Sequence, residues 1–427
     1  MKTHRPLSWL AKSVFCVIGF AWSFSASAEP FAYITSFFDN TVSVLDTTTN
    51  TVVATVTVGL LPTGVAVHPD GSTVYVANHN SDTVSVIDTT TNTVVDTVAV
   101  GSEPNGVAVH PDGSTIYVAN QGSETVSVID TTTSTVVATV TVGLIPTGVT
   151  VHPDGSTVYV SNIFGFTVSV IDTATNTVMA TVSVGPNPLG VAVHPDGSAV
   201  YVANQNSDSV SVIDTASNTV VNTITVGVLP KHLAVHPDGS AVYVSNQLSN
   251  TVSVIDTTTD TVVDTIAVGE GEFPYGVAVH PDGSAVYVTN EGSDSVSVID
   301  TATKTVVDTV AVGDSPRTFG QFIGPLFNFL SITGTCPGTL SVRVAGVTPN
   351  DRVALAWGTT EGPFTVPSGI CAGTELGLAD PKLFTTQVAN KYGNLLLSPT
   401  VGAGACGVFV QAVDLVTCLP TNVTSVP

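Results

Sequence analysis

Apolar and polar positions along this chain switch in short bursts rather than long waves. Thr73-Val74-Tyr75-Val76-Ala77-Asn78 and Thr83-Val84-Ser85-Val86-Ile87-Asp88 are six-residue runs of valine, isoleucine, threonine and tyrosine. Such residues fit a pleated, packed backbone. Turn residues bound each run. Pro69-Asp70-Gly71 joins a fixed φ to a residue that accepts positive φ, and Asp88-Thr89-Thr90-Thr91-Asn92 offers side chains that bond nearby backbone. The pattern predicts four strands in this stretch, Val65–His68, Thr73–Asn78, Thr83–Asp88 and Thr93–Val100, and no helix. Val74 and Val76 point one way and Tyr75 and Ala77 the other, so neither side of the sheet is polar. A sheet with one wet face alternates more sharply; both faces of this one are expected to be covered.

The unit repeats. His-Pro-Asp-Gly begins at His68, His110, His152, His194, His236 and His280, with steps of 42 residues and a last step of 44. A period in this range predicts a solenoid, a propeller or an array. Six tetrapeptides accompany seven copies of the third strand, starting at Val42, Val84, Val126, Val168, Val210, Val252 and Val296. The first copy has no strand before Tyr33, and the last is followed by an orphan, Arg317-Thr318-Phe319-Gly320-Gln321-Phe322-Ile323. If the orphan supplies the missing strand, the ring closes at seven and leaves no long edge open. The expected fold is therefore all-β, a seven-bladed β-propeller of four-stranded blades closed by its first and last segments.

Tyr75-Val76-Ala77-Asn78, Tyr159-Val160-Ser161-Asn162 and above all Tyr287-Val288-Thr289-Asn290 resemble the signature of the YVTN β-propeller family, over roughly residues 31–324. The resemblance implies an exported or surface-layer propeller, often without known activity. Related seven-bladed propellers include lactonases and the haem d1 domain of nitrite reductase.

The ends of the chain read differently. Lys2, Arg5 and Lys12 precede an apolar run, Val14 to Trp22, and Ala26-Ser27-Ala28 fits a leader-peptidase site, so residues 1–28 are expected to be a signal peptide. No later stretch reaches the ~18 apolar residues that span a bilayer. Export, to the periplasm, the medium or the cell surface, is the expectation. After the propeller (29–324) and a linker (325–332), residues 333–427 carry a different β pattern and the cysteines Cys336, Cys371, Cys406 and Cys418. An even number in an exported chain predicts two disulfides in a small β-sandwich, with three pairings open and Cys336–Cys371 with Cys406–Cys418 preferred. This part is expected to be an accessory or attachment module.

Charge narrows the partners. The full chain carries −23, and loss of Lys2, Arg5 and Lys12 with the leader deepens this to −26. Nucleic acid and anionic lipid both need basic clusters that are missing here. A monomer with a protein or small-molecule partner is expected, with no cofactor; bound cations would suit the acidity. The six tetrapeptide histidines belong to separate blades and cannot converge on one metal, so they read as turn residues that bond local backbone or a neighbouring blade.

Variation within the repeat is where a single site can hide. Lys231-His232 replaces Thr-Gly before the sixth blade, and Glu270-Gly271-Glu272-Phe273-Pro274-Tyr275 adds two residues before the seventh. Asp314 and Arg317 stand at the closing strand. Together they suit an anion site or acid–base chemistry, against the plainer reading of drift with mutual salt bridges. Phe164 and Phe166 replace a polar loop in the fourth blade, and Phe37 and Phe38 do so in the first; these mark a contact surface or lie under the C-terminal module. Three functions compete: a non-catalytic binding scaffold, which is preferred; a lactonase-like hydrolase using Arg317, His232 and Glu272; and a structural surface-layer component. No G-x-S-x-G, H-E-x-x-H or C-x-x-C-H motif is present. Intact-mass analysis of the exported protein should find a chain beginning at Glu29; a mass that retains residues 1–28 would count against the leader.

Overall fold

The computed structural model describes residues 30–324 in full, with strand segments between 329 and 425. The first blade begins with β1 (Phe31–Ser36), β2 (Thr41–Asp46) and β3 (Thr51–Thr57). The second is complete: β4 (Pro62–Val67), β5 (Thr73–Asn78), β6 (Thr83–Asp88) and β7 (Thr93–Ala99), paired in that order and antiparallel. Blades three to seven repeat this sheet, with innermost strands Pro104–Val109, Pro146–Val151, Pro188–Val193, Pro230–Val235 and Pro274–Val279. Among the described residues the lone helical element is a single 3-10 turn, Gln205–Ser207.

Both sheet faces are dry, as the alternation required. β5 and β6 are buried along almost their whole length, whereas β7 buries chiefly Val98. Tyr75, Ala77, Val84 and Val86 of blade two pack on Val107, Ile116, Val118 and Ile129 of blade three. Each fully buried valine or isoleucine contributes roughly 1.5–3 kcal/mol relative to exposure. Every outer hairpin carries a register shift, as between Val86 and Ile87. Such a bulge twists the outermost strand and discourages edge-to-edge pairing.

The orphan segment closes the ring, against β1. The Tyr33 amide donates to the Phe322 carbonyl at 2.8 Å, Gly324 to Phe31 at 3.0 Å, and Phe37 to Ser315 at 3.1 Å. The Thr35 amide donates to Thr318 Oγ1 at 3.0 Å, and both threonines are fully buried. Phe322 and Ile323 then join a core cluster drawn from blades seven, one and two, with Ile34, Val74 and Tyr287 among its members.

The His-Pro-Asp-Gly turns form a belt at the opposite end from the channel mouth. His68 Nδ1 lies 2.6 Å from Asp70 Oδ1, and its Nε2 lies 3.0 Å from the Gly113 carbonyl of the next blade. The same link joins His110 to Gly155, His152 to Gly197, His194 to Gly239 and His236 to Gly283. Ser114, through its hydroxyl and amide, and then the His110 ring, hold the Asp112 carboxyl down to about 2. The belt has one gap. Blade one lacks the turn, so His280 Nε2 meets Thr47 Oγ1 instead, at 3.3 Å. A cleft of about 280 Å³ lies there, lined by Thr47, Asn50, His280, Asp282, Tyr287 and Asp300.

Past the propeller, Arg352–Gly358 pairs antiparallel with Lys382–Val388 on one edge and Phe409–Asp414 on the other. The expected signal peptide and the four expected disulfide cysteines lie outside the described residues.

Phe322→Ala should lower propeller stability by about 3–5 kcal/mol, because the cluster it leaves joins three blades. Urea unfolding of wild type and variant, followed by tyrosine fluorescence, measures this; an unchanged midpoint would mean that the closure carries no load.

Candidate functional site

Seven prolines open the innermost strands, and the residue after each stands at one level of the channel: Thr63, Asn105, Thr147, Leu189, Lys231, Tyr275 and Arg317. A second set follows the end of each second strand: Phe37, His79, Gln121, Ile163, Gln205, Gln247 and Glu291. The two sets meet across blade boundaries. Gln121 Nε2 donates to Thr147 Oγ1 at 3.0 Å, Lys231 Nζ donates to Gln205 Oε1 at 3.3 Å, and Arg317 Nε and Nη2 donate to Glu291 Oε1 at 2.9 and 2.5 Å. Each of these partners lies 26 residues from the other, one residue set back against the next blade.

Charge concentrates in one sector. Within residues 30–324 the basic residues are Lys231, Lys304 and Arg317, and two of the three are at this mouth. Glu291 is fully engaged: it holds Arg317 through Oε1 and accepts from Gln247 Nε2 through Oε2 at 2.8 Å. The Arg317 guanidinium also lies over the Phe37 ring, 4.5 Å from its centroid. Lys231 is less committed. Among the described residues no carboxylate comes within 4.0 Å of its ammonium. Burial pulls its pKa down, Glu291 opposes that shift, and Arg317 adds to it. The ammonium lies 5.5 Å from the centroid of the Tyr275 ring. Burial likewise raises the Tyr275 hydroxyl, keeping it a neutral donor.

Beneath the mouth the channel is stoppered. At the third position of the innermost strands blades two to five and seven have glycine because the next blade is too close for a side chain, and the closing segment of blade one has Thr318. A Cβ on Gly64 would lie 2.1 Å from the Asn105 carbonyl, and one on Gly276 2.0 Å from that of Thr318. Blade six has His232. Its ring is buried and stands edge-on to Phe319 with centroids 5.6 Å apart, while Tyr275 packs on the same phenylalanine at 5.1 Å. Phe319 in turn donates its amide to Thr63 and accepts from Val65 through its carbonyl, both in blade two. Gly320, at φ +85, sits where a Cβ would strike the carbonyls of Val65 and Val107. The closing segment thus reaches from blades six and seven to blades two and three, and the mouth is a cup with a floor.

His232 serves that floor. The Gly320 amide donates to its Nε2 at 3.3 Å, which leaves the proton on Nδ1 in the neutral ring. Nδ1 makes no hydrogen bond within ordinary limits. The Val277 carbonyl faces the ring and only partly opposes the effect of burial, which holds the imidazole down to about 4.

Of the residues singled out in the sequence, Lys231, His232, Tyr275 and Arg317 come together here, with Phe37 beside them. Glu272 does not join them: its carboxylate accepts from the Ser293 and Ser295 hydroxyls within the loops of blade seven. Glu270 and Asp314 are exposed, and Asp314 contributes its backbone amide to Asp39. Phe38, Phe164, Phe166 and Phe273 are exposed on the same loop face. Glu291, Gln205 and Gln247 escaped the sequence reading. The 26-residue offset could have found Gln205 and Glu291, which it pairs with Lys231 and Arg317, as it pairs Gln121 with Thr147 and Ile163 with Leu189; Gln247 has no such partner and bonds Glu291 instead.

With this geometry in hand, the comparisons with known proteins agree on the fold. The family described as a YNCE-like beta-propeller matches residues 183–282 and 237–322. The family described as lactonase, 7-bladed beta-propeller, matches residues 22–148 and 131–223. No curated protein matches. Among solved structures the chain is similar to Kuenenia stuttgartiensis hydrazine synthase, at 26% identity and a TM-score of 0.56 over 60% of this chain and 88% of that one. It is also similar to a functionally unknown protein from Desulfotomaculum acetoxidans DSM 771, at 20% identity and a TM-score of 0.61, covering 69% and 99%. Dihydro-heme d1 dehydrogenase NirN in complex with DHE matches at 16% identity and a TM-score of 0.53, covering 70% and 76%. The last two likenesses show the fold alone.

The depressed imidazole makes a pH test. An unfolded histidine takes up its proton near 6.5, whereas His232 does so near 4. Its contribution is full above pH 6.5 and falls away as the pH drops toward 4, by roughly 3 kcal/mol over that span. His232→Gln should lose less stability between pH 7 and pH 4 than wild type does in parallel urea titrations. Parallel curves would remove His232 from the floor's acid sensitivity.

Proposed function

We propose that this protein is an exported, non-catalytic binding propeller that takes an anionic group of its ligand or partner in the cup at the channel mouth. The observation that carries this reading is the placement of Lys231 and Arg317, two of the three basic residues of a strongly acidic propeller, in one sector of one rim. A low-dielectric cup strengthens the pull of such a charge on an anion. Arg317 is already matched by Glu291, which leaves the Lys231 ammonium, with the Tyr275 hydroxyl, as the groups free to meet a carboxylate. The YVTN-like repeat and the leader expected at residues 1–28 support export, and the C-terminal β segment suits an accessory or attachment role.

A second reading has one observation in its favour, the match of residues 22–223 to the seven-bladed lactonase family. Hydrolysis needs a base within reach of a water and a pocket for the developing charge. Here His232 is turned to the floor and Glu272 to the blade-seven loops, so neither residue supports that reading.

Calorimetric titration with glutarate, a simple dicarboxylate, separates the two. Binding should weaken at least tenfold in Lys231→Gln and with rising salt, while the variant keeps its melting temperature. Equal affinities in both proteins would refute the cup, and lactone turnover abolished by Arg317→Ala or His232→Ala would replace this reading with the hydrolase.

A further inference from the structure

The loop face around the cup is apolar in a way the other end is not. Phe38, Leu60, Leu144, Phe164, Phe166, Val228, Leu248 and Phe273 are large apolar side chains exposed in its loops; the remaining exposed ones lie on outermost strands. The His-Pro-Asp-Gly end contributes none. Phe164 is the most exposed of them, at 60%, and Phe166, two residues on in the same loop, is 45% exposed.

Phe166 also occupies a structural position without serving it. In five blades the equivalent residue is Asn40, Asp82, Asp208, Asn250 or Asp294, with backbone in the left-handed region. Its side-chain oxygen there accepts from the amide of the following loop, at 2.8–3.0 Å. Asparagine and aspartate tolerate that backbone, and bulky residues seldom do. Phe166 holds it at φ 53, makes no such bond to the Asn187 amide, and is 45% exposed. A strained, half-exposed aromatic residue in a capping position leaves the cap unmade.

We propose that this face docks an extended peptide segment in which a carboxylate, seated on Lys231 and Tyr275, is flanked by large apolar side chains that lie on the loop aromatics, Phe164 and Phe166 among them. The proposal rests on the anion cup argued above and names its occupant. A small hydrophilic anion would need the cup and gain nothing from the apolar rim, whereas a peptide carrying both features matches both. Charge complementarity acts locally, because the Lys231 ammonium has no carboxylate within 4.0 Å among the described residues and can meet one from a ligand.

The probe is fluorescein-labelled Phe-Leu-Glu-Leu-Phe, amidated, with two controls: Gln in place of Glu, and Ser in place of both Phe. Each control should bind the full-length protein at least tenfold more weakly by anisotropy. The double variant Phe164→Ser, Phe166→Asn should lose the peptide at least tenfold, bind glutarate like wild type, and melt no lower; Phe166→Asn alone should melt about 2–4 °C higher. Wild-type peptide affinity in the double variant overturns the proposal. So does binding to phosphatidylcholine vesicles, or a concentration-dependent dimer, that the double variant abolishes while neither protein binds the peptide. Glutarate binding indifferent to Lys231→Gln, with peptide binding still dependent on Phe164 and Phe166, overturns the cup and spares the apolar rim.

Discussion

A sheet that is apolar on both faces cannot stand alone in water, and the whole molecule follows from that constraint. Val74 and Val76 need one neighbour and Tyr75 and Ala77 another, so each blade must lie between two others. A linear stack would leave two such faces wet at its ends. Curling the stack into a ring removes both ends, and the chain does so by lending its last segment to its first blade. The Thr35–Thr318 contact and the Phe322 side chain thus do for blades seven, one and two what ordinary sequence continuity does elsewhere.

The belt of tetrapeptide turns adds direction to this nonspecific packing. Apolar faces tolerate sliding, but a histidine with both ring nitrogens against oxygen acceptors does not. In each link Nδ1 lies against an aspartate and Nε2 against a carbonyl of the next blade, so the ring is held at both ends. Glycine is required opposite it: a Cβ on Gly113 would lie 2.4 Å from His68 Nε2. The turn signature is therefore read twice, once as a turn and once as the socket for the preceding blade. Its absence from blade one leaves His280 without a glycine carbonyl to meet, and a cleft lies at that seam.

How much of this was legible in advance follows from the same physics. Strand positions were, because period-two patterning and turn chemistry are local; the reading Thr73–Asn78 and Thr83–Asp88 matches the structure residue for residue. Closure was legible because an orphan and a deficit must cancel. The candidate cluster was legible where it broke the repeat, at Lys231, His232, Tyr275 and Arg317. It was not legible where the repeat is merely permissive. Glu291 sits at a position that holds Phe, His, Gln or Ile in the other blades, so its identity carries no alarm until its partner 26 residues on is considered. Nor could periodicity say that Phe319 and Gly320 cross the channel, since that depends on which way a broken strand bulges in three dimensions.

The departures from the repeat differ in what they return. His232 takes a position that is glycine in five blades and threonine in blade one, and its ring gains Phe319 as a neighbour and the Gly320 amide as a donor; the exchange builds the floor. Arg317 likewise gains Glu291 and Phe37. Phe166 gains no such partner, although a bulky residue in the left-handed region costs about 1–2 kcal/mol and the missing capping bond costs about 1 more. In a fold of which five blades solve the same turn with Asn or Asp, a cap left unmade at Phe166 points outward, to whatever meets the ring from solvent. The rim and the cup then describe one surface: the channel supplies charge where the repeat lapses inside, and the loops supply apolar area where it lapses outside.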